Sequence, residues 1–135
     1  MALDPGAVRR GVVVLIRLPG DKARPAVVVR SDLLSELSYA TVLPITTELR
    51  AGISMRIDVA PSQENGLRAG SQVMVDWPQT VRHSDMGQAI GQLDAAIMRV
   101  VTRQMAVVLG IGAGSPRRTG AGLAGAPNER SKRST

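Results

Sequence analysis

The sequence predicts a mainly β fold: a small, strongly bent antiparallel barrel with a C-terminal helix. Two observations predict the class. Short apolar segments recur between turn-forming clusters, the rhythm of strands and tight connections. Only residues 94–109 carry their apolar side chains at helical spacing. A third observation bounds the size: 135 residues with 44% apolar content suit one domain with its own core. That core is aliphatic, since the chain has no Phe, one Tyr and one Trp.

Gly11 to Arg17 (GVVVLIR) is nearly continuous aliphatic sequence and reads as a buried strand. Leu18 to Lys22 supplies Pro-Gly-Asp turn chemistry. Ala26 to Arg30 is the second strand, opened by Arg24-Pro25. Proline has no N–H and a fixed φ, so it suits the start or edge of a strand. The residue before it is pushed toward extended geometry, which holds the Arg24 cation at the strand mouth. Ser31 caps a short helix expected to reach Leu37, with Asp32 near its positive end. Tyr39 to Pro44 is the third strand, and Ile45-Thr46-Thr47 sets two hydroxyls at its end.

Glu48 to Gly52 is polar and turn-like, and Met55 to Val59 alternates as a half-exposed strand does. Pro61 to Gly70 is a loop. Ser71 to Val81 contains a strand interrupted at Trp77-Pro78, and Ala89 to Leu93 is the last short strand. Asp94 then caps a helix to Leu109 whose apolar face is Ile97, Val101, Met105 and Val108. Gly110 suits the position just past it. The division expected is a barrel domain over residues 1–111 and a disordered basic tail over 112–135, rich in Gly, Ala and Pro.

The formal net charge is +6, but the tail carries +4 of it and residues 1–111 only +2. A basic tail attracts polyanions without regard to sequence, so the charge alone marks no specific site. The absence of cysteine excludes disulfides, zinc–thiolate sites and a thiol nucleophile. No stretch approaches the roughly 18 apolar residues of a membrane span, and no signal peptide is expected at the N-terminus. The protein is expected to be cytoplasmic. With one histidine, His83, a two-histidine nuclease site within the chain is impossible. His83 is expected to be an exposed loop residue. No spacing resembles a metal cage or a phosphate-binding glycine loop, so neither metal nor cofactor is expected.

One economical chemistry survives these exclusions. RNA carries its own nucleophile, the 2′-hydroxyl. A protein then needs only to position the strand, stabilise the crowded phosphate and assist the proton transfers. Arginine offers a planar fork of donors to phosphate oxygens, and a strand-end threonine offers a hydroxyl and a backbone N–H. The same residues have plainer readings: Arg24 as a surface cation bonded to a carboxylate, and Thr46-Thr47 as ordinary strand and turn formers.

The order of several short motifs resembles the MazF/PemK family of toxin endoribonucleases across residues 10–110. Arg10-Gly11, Arg24-Pro25-Ala26-Val27-Val28-Val29 and Pro44-Ile45-Thr46-Thr47 come first. Asn65-Gly66-Leu67, Ser71, Thr80-Val81 and Ile90-Gly91-Gln92-Leu93-Asp94 follow. The resemblance implies an SH3-like barrel, a homodimer, a cognate antitoxin and cleavage of single-stranded RNA without metal. It maps the catalytic pair onto Arg24 and Thr46. Thr47, Trp77, Gln79 and Arg82 are the candidate RNA contacts. Three positions depart from the family pattern. Val12 stands where relatives carry Asp. The Leu18 to Ala23 loop is short and lacks the usual Gly-Ser-Glu. Trp77-Pro78 replaces a polar–aliphatic pair; Trp77 offers a stacking surface for a base or closes the core. Two other functions fit the class. One is a CcdB-like gyrase-binding toxin, whose helix-end Trp-Gly-Ile is missing here. The other is a non-catalytic nucleic-acid-binding barrel, for which one Tyr and one Trp make a poor platform.

Overall fold

The computed structural model describes residues 4–20, 22–52 and 55–112. Seven strands form one antiparallel sheet: β1 (Val12–Arg17), β2 (Ala23–Val28), β3 (Tyr39–Thr46), β4 (Arg56–Val59), β5 (Ser71–Met74), β6 (Gln79–Arg82) and β7 (Met86–Gln92). The helix α1 (Ala95–Leu109) follows. The strand order is β4-β5-β3-β2-β1-β7, and β6 also pairs with β3. Among the described residues, no helix is long and apolar enough to cross a membrane.

Alternate residues of the central strands feed two separate cores. Val13, Val27, Leu43 and Ile45 pack on one side with Val73, Leu93 and Val101 of α1. Val14, Ile16, Ala26, Val28 and Val42 pack on the other with Ala40, Val81 and Met86. Burial on both faces explains the unbroken aliphatic runs of β1 and β2. Ile97, Met105 and Val108 join Val101 on the first core, so the helical stripe read from the sequence is the one that packs. Asp94 caps α1 by accepting the Ile97 N–H at 2.8 Å, and Gly110 ends it in the left-handed conformation at φ 69°.

The second strand begins earlier than expected, at Ala23, so Arg24 and Pro25 lie inside β2. Strand polarity makes this possible. Val28 turns its carbonyl to Gly11 beside β1, and Val29 turns its N–H to Thr41 beside β3. Backbone groups alternate sides, so the nitrogen of Pro25 faces the β3 side. The β2–β3 ladder starts only at Ala26 opposite Pro44, and no ladder bond is lost. Pro44 repeats the device. Its nitrogen faces away from β2, between the end of the β3–β6 ladder at Val42 opposite Gln79 and the start of the β3–β5 ladder at Ile45 opposite Val73. A donorless residue thus occupies the point where β3 changes partner.

Other boundaries moved as well. β3 runs on to Thr46 and β7 starts at Met86. Ser31 accepts the Leu33 N–H, but the helix it caps is a single 3₁₀ turn, Asp32–Leu34. None of its residues is buried, so no apolar face holds a longer one. The Pro61 to Gly70 loop is tied by Asn65, which accepts the N–H groups of Ser62 and Leu67 and donates to the Ala60 carbonyl. The loop then lies directly on β7: a Cβ on Gly66 would overlap the Ile90 carbonyl, and one on Gly91 the Glu64 and Asn65 backbone. Residues 113–135, nearly all of the tail expected to be disordered, lie outside the described residues.

Candidate active site

Continuing the β2–β3 register by two residues from Ala26 opposite Pro44 sets Arg24 opposite Thr46, on one face of the sheet. That face is the one holding Ala26, Val28 and Val42 in the second core, so the pair forms the polar end of an apolar wall. The change of partner at Pro44 leaves an opening beside it, spanned by the Val75-Asp76-Trp77-Pro78 connection between β5 and β6. The result is a cleft of about 240 Å³ lined by Arg24, Pro44, Thr46, Glu48, Arg50, Arg56, Trp77 and Gln79, with Leu18 and Met74 at its apolar edges. Three arginines against one carboxylate make it a cationic site, suited to a phosphodiester.

Each polar member is held. Arg24 is half-buried, with its Nε out of solvent. The Thr46 Oγ1 accepts the Glu48 N–H at 3.0 Å, a local turn that fixes the hydroxyl at the strand end. A hydroxyl accepting one bond keeps its own hydrogen to donate. Trp77 is 58% exposed and lines the cleft, so it does not close the core. Gln79, at the start of β6, lines the same cleft.

Four contributors escaped the sequence reading: Glu48, Arg50 and Arg56 in the cleft lining, and Gln72 behind it. Gln72, only 6% exposed, pairs with Thr46 across β3–β5 and acts as a hub. Its Oε1 accepts the Arg50 N–H at 2.9 Å and an Arg56 Nη1 bond at 3.3 Å. Its Nε2 donates to the Arg50 carbonyl at 3.2 Å and to Asp58 Oδ1 at 2.9 Å. Arg56 Nη1 also donates to the Glu48 carbonyl at 3.0 Å. The turn after β3 is thereby clamped onto β4 and β5. The alternation of Met55 to Val59 marks Arg56 as solvent-facing, but only the strand pairing shows which solvent it faces.

The remaining candidates lie apart. Thr47 is exposed next to Thr46 but does not line the cleft. Arg82 sits at the far end of β6, opposite Tyr39, with its Nε 3.8 Å from Asp85 Oδ2. His83 corrects an expectation: it is 6% exposed, not an open loop residue. Arg30 Nη1 lies 3.1 Å from its Nε2. A guanidinium can only donate, which assigns the imidazole proton to Nδ1. Burial first, and the Arg30 charge second, lower the His83 pKa. Among the described residues, no three His, Asp or Glu side chains gather as a metal cage.

The family of PemK-like, MazF-like toxins of type II toxin-antitoxin systems matches residues 9–109. The chain belongs to this family. It is 38% identical over 77 residues to the Endoribonuclease MazF3 of Mycobacterium tuberculosis, a match covering 56% of this chain and 72% of that protein. The solved toxin MazF-mt6 of M. tuberculosis superposes with a TM-score of 0.65 at 28% identity, over 75% of this chain and 98% of that one. A mycobacterial endoribonuclease solved in complex with its cognate antitoxin gives a TM-score of 0.67 at 23% identity, over 77% and 96% of the two chains, a likeness of fold. The seven-stranded sheet and C-terminal helix are thus the MazF architecture, as the order of motifs implied.

Proposed function

We propose that this MazF-type endoribonuclease toxin cuts single-stranded RNA, mRNA included, by attack of the RNA's own 2′-hydroxyl in the Arg24–Thr46 cleft, with no metal. The observation that carries the reading is that the fold sets Arg24 opposite Thr46 at the mouth of one cationic cleft with an exposed tryptophan at its rim. Arg24 holds a nonbridging oxygen of the scissile phosphate, and its fork compensates the charge that develops there. Arginine holds its proton too firmly to be a good proton carrier, so stabilisation is its first task. Thr46 donates its hydroxyl hydrogen to the same group. Trp77 stacks a neighbouring base, and Gln79 reads a base edge or the ribose. Thr47 and Arg82, outside the cleft, would meet the strand only where it extends beyond the cut.

The products are a 2′,3′-cyclic phosphate and a 5′-hydroxyl. The protein works in the cytoplasm as a homodimer held in check by a cognate antitoxin. The gyrase-poison reading is not favoured: the chain's one tryptophan lies at the cleft, away from the end of α1. The test is cleavage of a mixed single-stranded RNA in chelator, with the cut sites mapped and the same RNA carrying 2′-deoxy at each cut. Cleavage that survives chelator and stops at deoxy positions supports the mechanism. Normal cutting at a deoxy position refutes it.

A further inference from the structure

Attack by a 2′-hydroxyl requires a group that takes its proton, and neither Arg24 nor Thr46 suits that task near neutral pH. His83 is no candidate, since it is buried against Arg30 in a different depression. Among the described residues lining the cleft, Glu48 bears the one carboxylate. Its main chain is fixed on both sides: the N–H bonds to Thr46 Oγ1 at 3.0 Å, and the carbonyl accepts Arg56 Nη1 at 3.0 Å. The same Arg56 is braced by the buried Gln72, which also clamps Arg50 two residues further on. An acidic residue is therefore carried on a turn tied to β4 and β5, two residues beyond Thr46, in a cleft that also holds Arg50 and Arg56.

We propose that Glu48 is the general base of this ribonuclease, a reading that rests on the function proposed above. Its carboxylate takes the 2′-hydroxyl proton as the O2′–P bond forms. The P–O5′ bond breaks, the departing 5′-oxygen takes a proton from water, and Glu48 then releases its proton to solvent. Arg24 compensates the phosphate charge throughout, and Arg50 and Arg56 keep the added carboxylate from repelling the substrate.

The structure suggests a clean variant. The two fixed bonds of Glu48 use its backbone, so Glu48→Gln should fold as wild type does, with its melting temperature unchanged. The experiment compares wild type, Glu48→Gln, Glu48→Asp and Asp21→Asn on a short RNA with a single cut site. A second copy of that RNA carries sulfur in place of the bridging 5′-oxygen, a leaving group that needs no proton. Glu48→Gln should lower kcat about 100-fold or more, the lower end of what a positioned base contributes, with little change in KM. Glu48→Asp should recover part of the loss, and Asp21→Asn, which removes a carboxylate from the Leu18 to Ala23 segment of the sequence, should match wild type. The Glu48→Gln deficit should be as large on the sulfur-bridged RNA, because the base is still required. Full activity in Glu48→Gln overturns the assignment, as does the loss appearing in Asp21→Asn instead. A deficit that vanishes on the sulfur-bridged RNA makes Glu48 the acid, and also overturns it. Absence of cleavage by the wild type sinks the ribonuclease reading itself, whereas cleavage by the wild type and Glu48→Gln alike sinks only the base.

Discussion

Two arginines stand six residues apart, Arg24 within β2 and Arg30 just beyond its other end, and the fold uses them in opposite ways. Arg30 is 6% exposed. It donates to the carbonyls of Val8 at 2.8 Å and Tyr39 at 3.0 Å, and to the neutral His83 ring at 3.1 Å. Its charge is spread over fixed dipoles, and it stitches the N-terminal turn and β3 to the strand. Arg24 lies at the end where the β2–β3 ladder has stopped, and it lines an open cleft. An arginine at a strand end is structural where neighbouring segments wrap it, and lines a cleft where the sheet parts. What divides the two cases is the surrounding pairing, not the residue.

The largest expected effect breaks the comparison at the open end. Arg24→Ala should lower kcat at least 100- to 1000-fold, as loss of an oxyanion donor does, and leave the melting temperature nearly unchanged. Arg24→Lys should recover little, because an ammonium lacks the planar fork. Activity and thermal melts of the same samples decide it: a large loss of stability in Arg24→Ala would make Arg24 structural after all. The converse holds at the closed end. Arg30→Met should cost about 3 kcal/mol, the penalty for leaving the buried Val8 carbonyl and the partly buried Tyr39 carbonyl without this donor, and lower the melting temperature by about 10 °C. Its activity per folded molecule should stay near wild type at low temperature.

Much of this contrast was legible in the sequence, and the unread part has a physical cause. Periodicity and caps gave six strands in outline, the fifth of which is two strands, β5 and β6, either side of the break at Trp77-Pro78, and the helix from Asp94 to Gly110, because each depends on neighbouring residues. Boundaries slipped where pairing decides, as at Pro25, whose tolerance inside β2 depends on where the β3 ladder begins. Arg24, Thr46, Trp77 and Gln79 were found and do share a cleft. Gln72, Arg50 and Arg56 were missed because a glutamine and two arginines in alternating or turn-like sequence look solvated until strand register brings them together. His83 was misjudged for the same reason: 53 residues separate it from Arg30 in the chain.

Smaller effects sharpen the comparison. Trp77→Ala should raise KM about 5- to 100-fold, the value of one stacked base, with kcat little changed and Trp77→Phe between the two. Quenching of the Trp77 fluorescence by RNA checks the contact directly, since it is the chain's one tryptophan. The smallest effect belongs to His83. Its pKa is lowered from 6.5 in the folded chain. As pH falls through about 6.5 the unfolded chain takes up a proton that the folded one refuses, so this part of the stability is present above that range and lost below it. Arg30 is the charged group at the ring, Glu36 and Arg82 line the same depression, and Asp85 lies beside Arg82. The difference between wild type and His83→Gln in melting temperature from pH 7.5 to 5 therefore isolates the imidazole, and the variant should show the shallower acid slope.

The contact between the Gly66 loop and β7 has a consequence for genetics. In a toxin, cells that survive expression report any loss of activity, whatever its origin. Substitutions at Gly66 or Gly91, neither of which lines the Arg24 cleft, insert a carbon where two backbones already touch and should prevent the loop from docking. A survival screen would therefore gather these glycines alongside Arg24, Thr46 and Glu48, and a map of hits alone would merge a hinge of assembly with the chemistry. Soluble yield separates them: catalytic variants should accumulate to levels the active toxin never permits, while the glycine variants disappear from the soluble fraction.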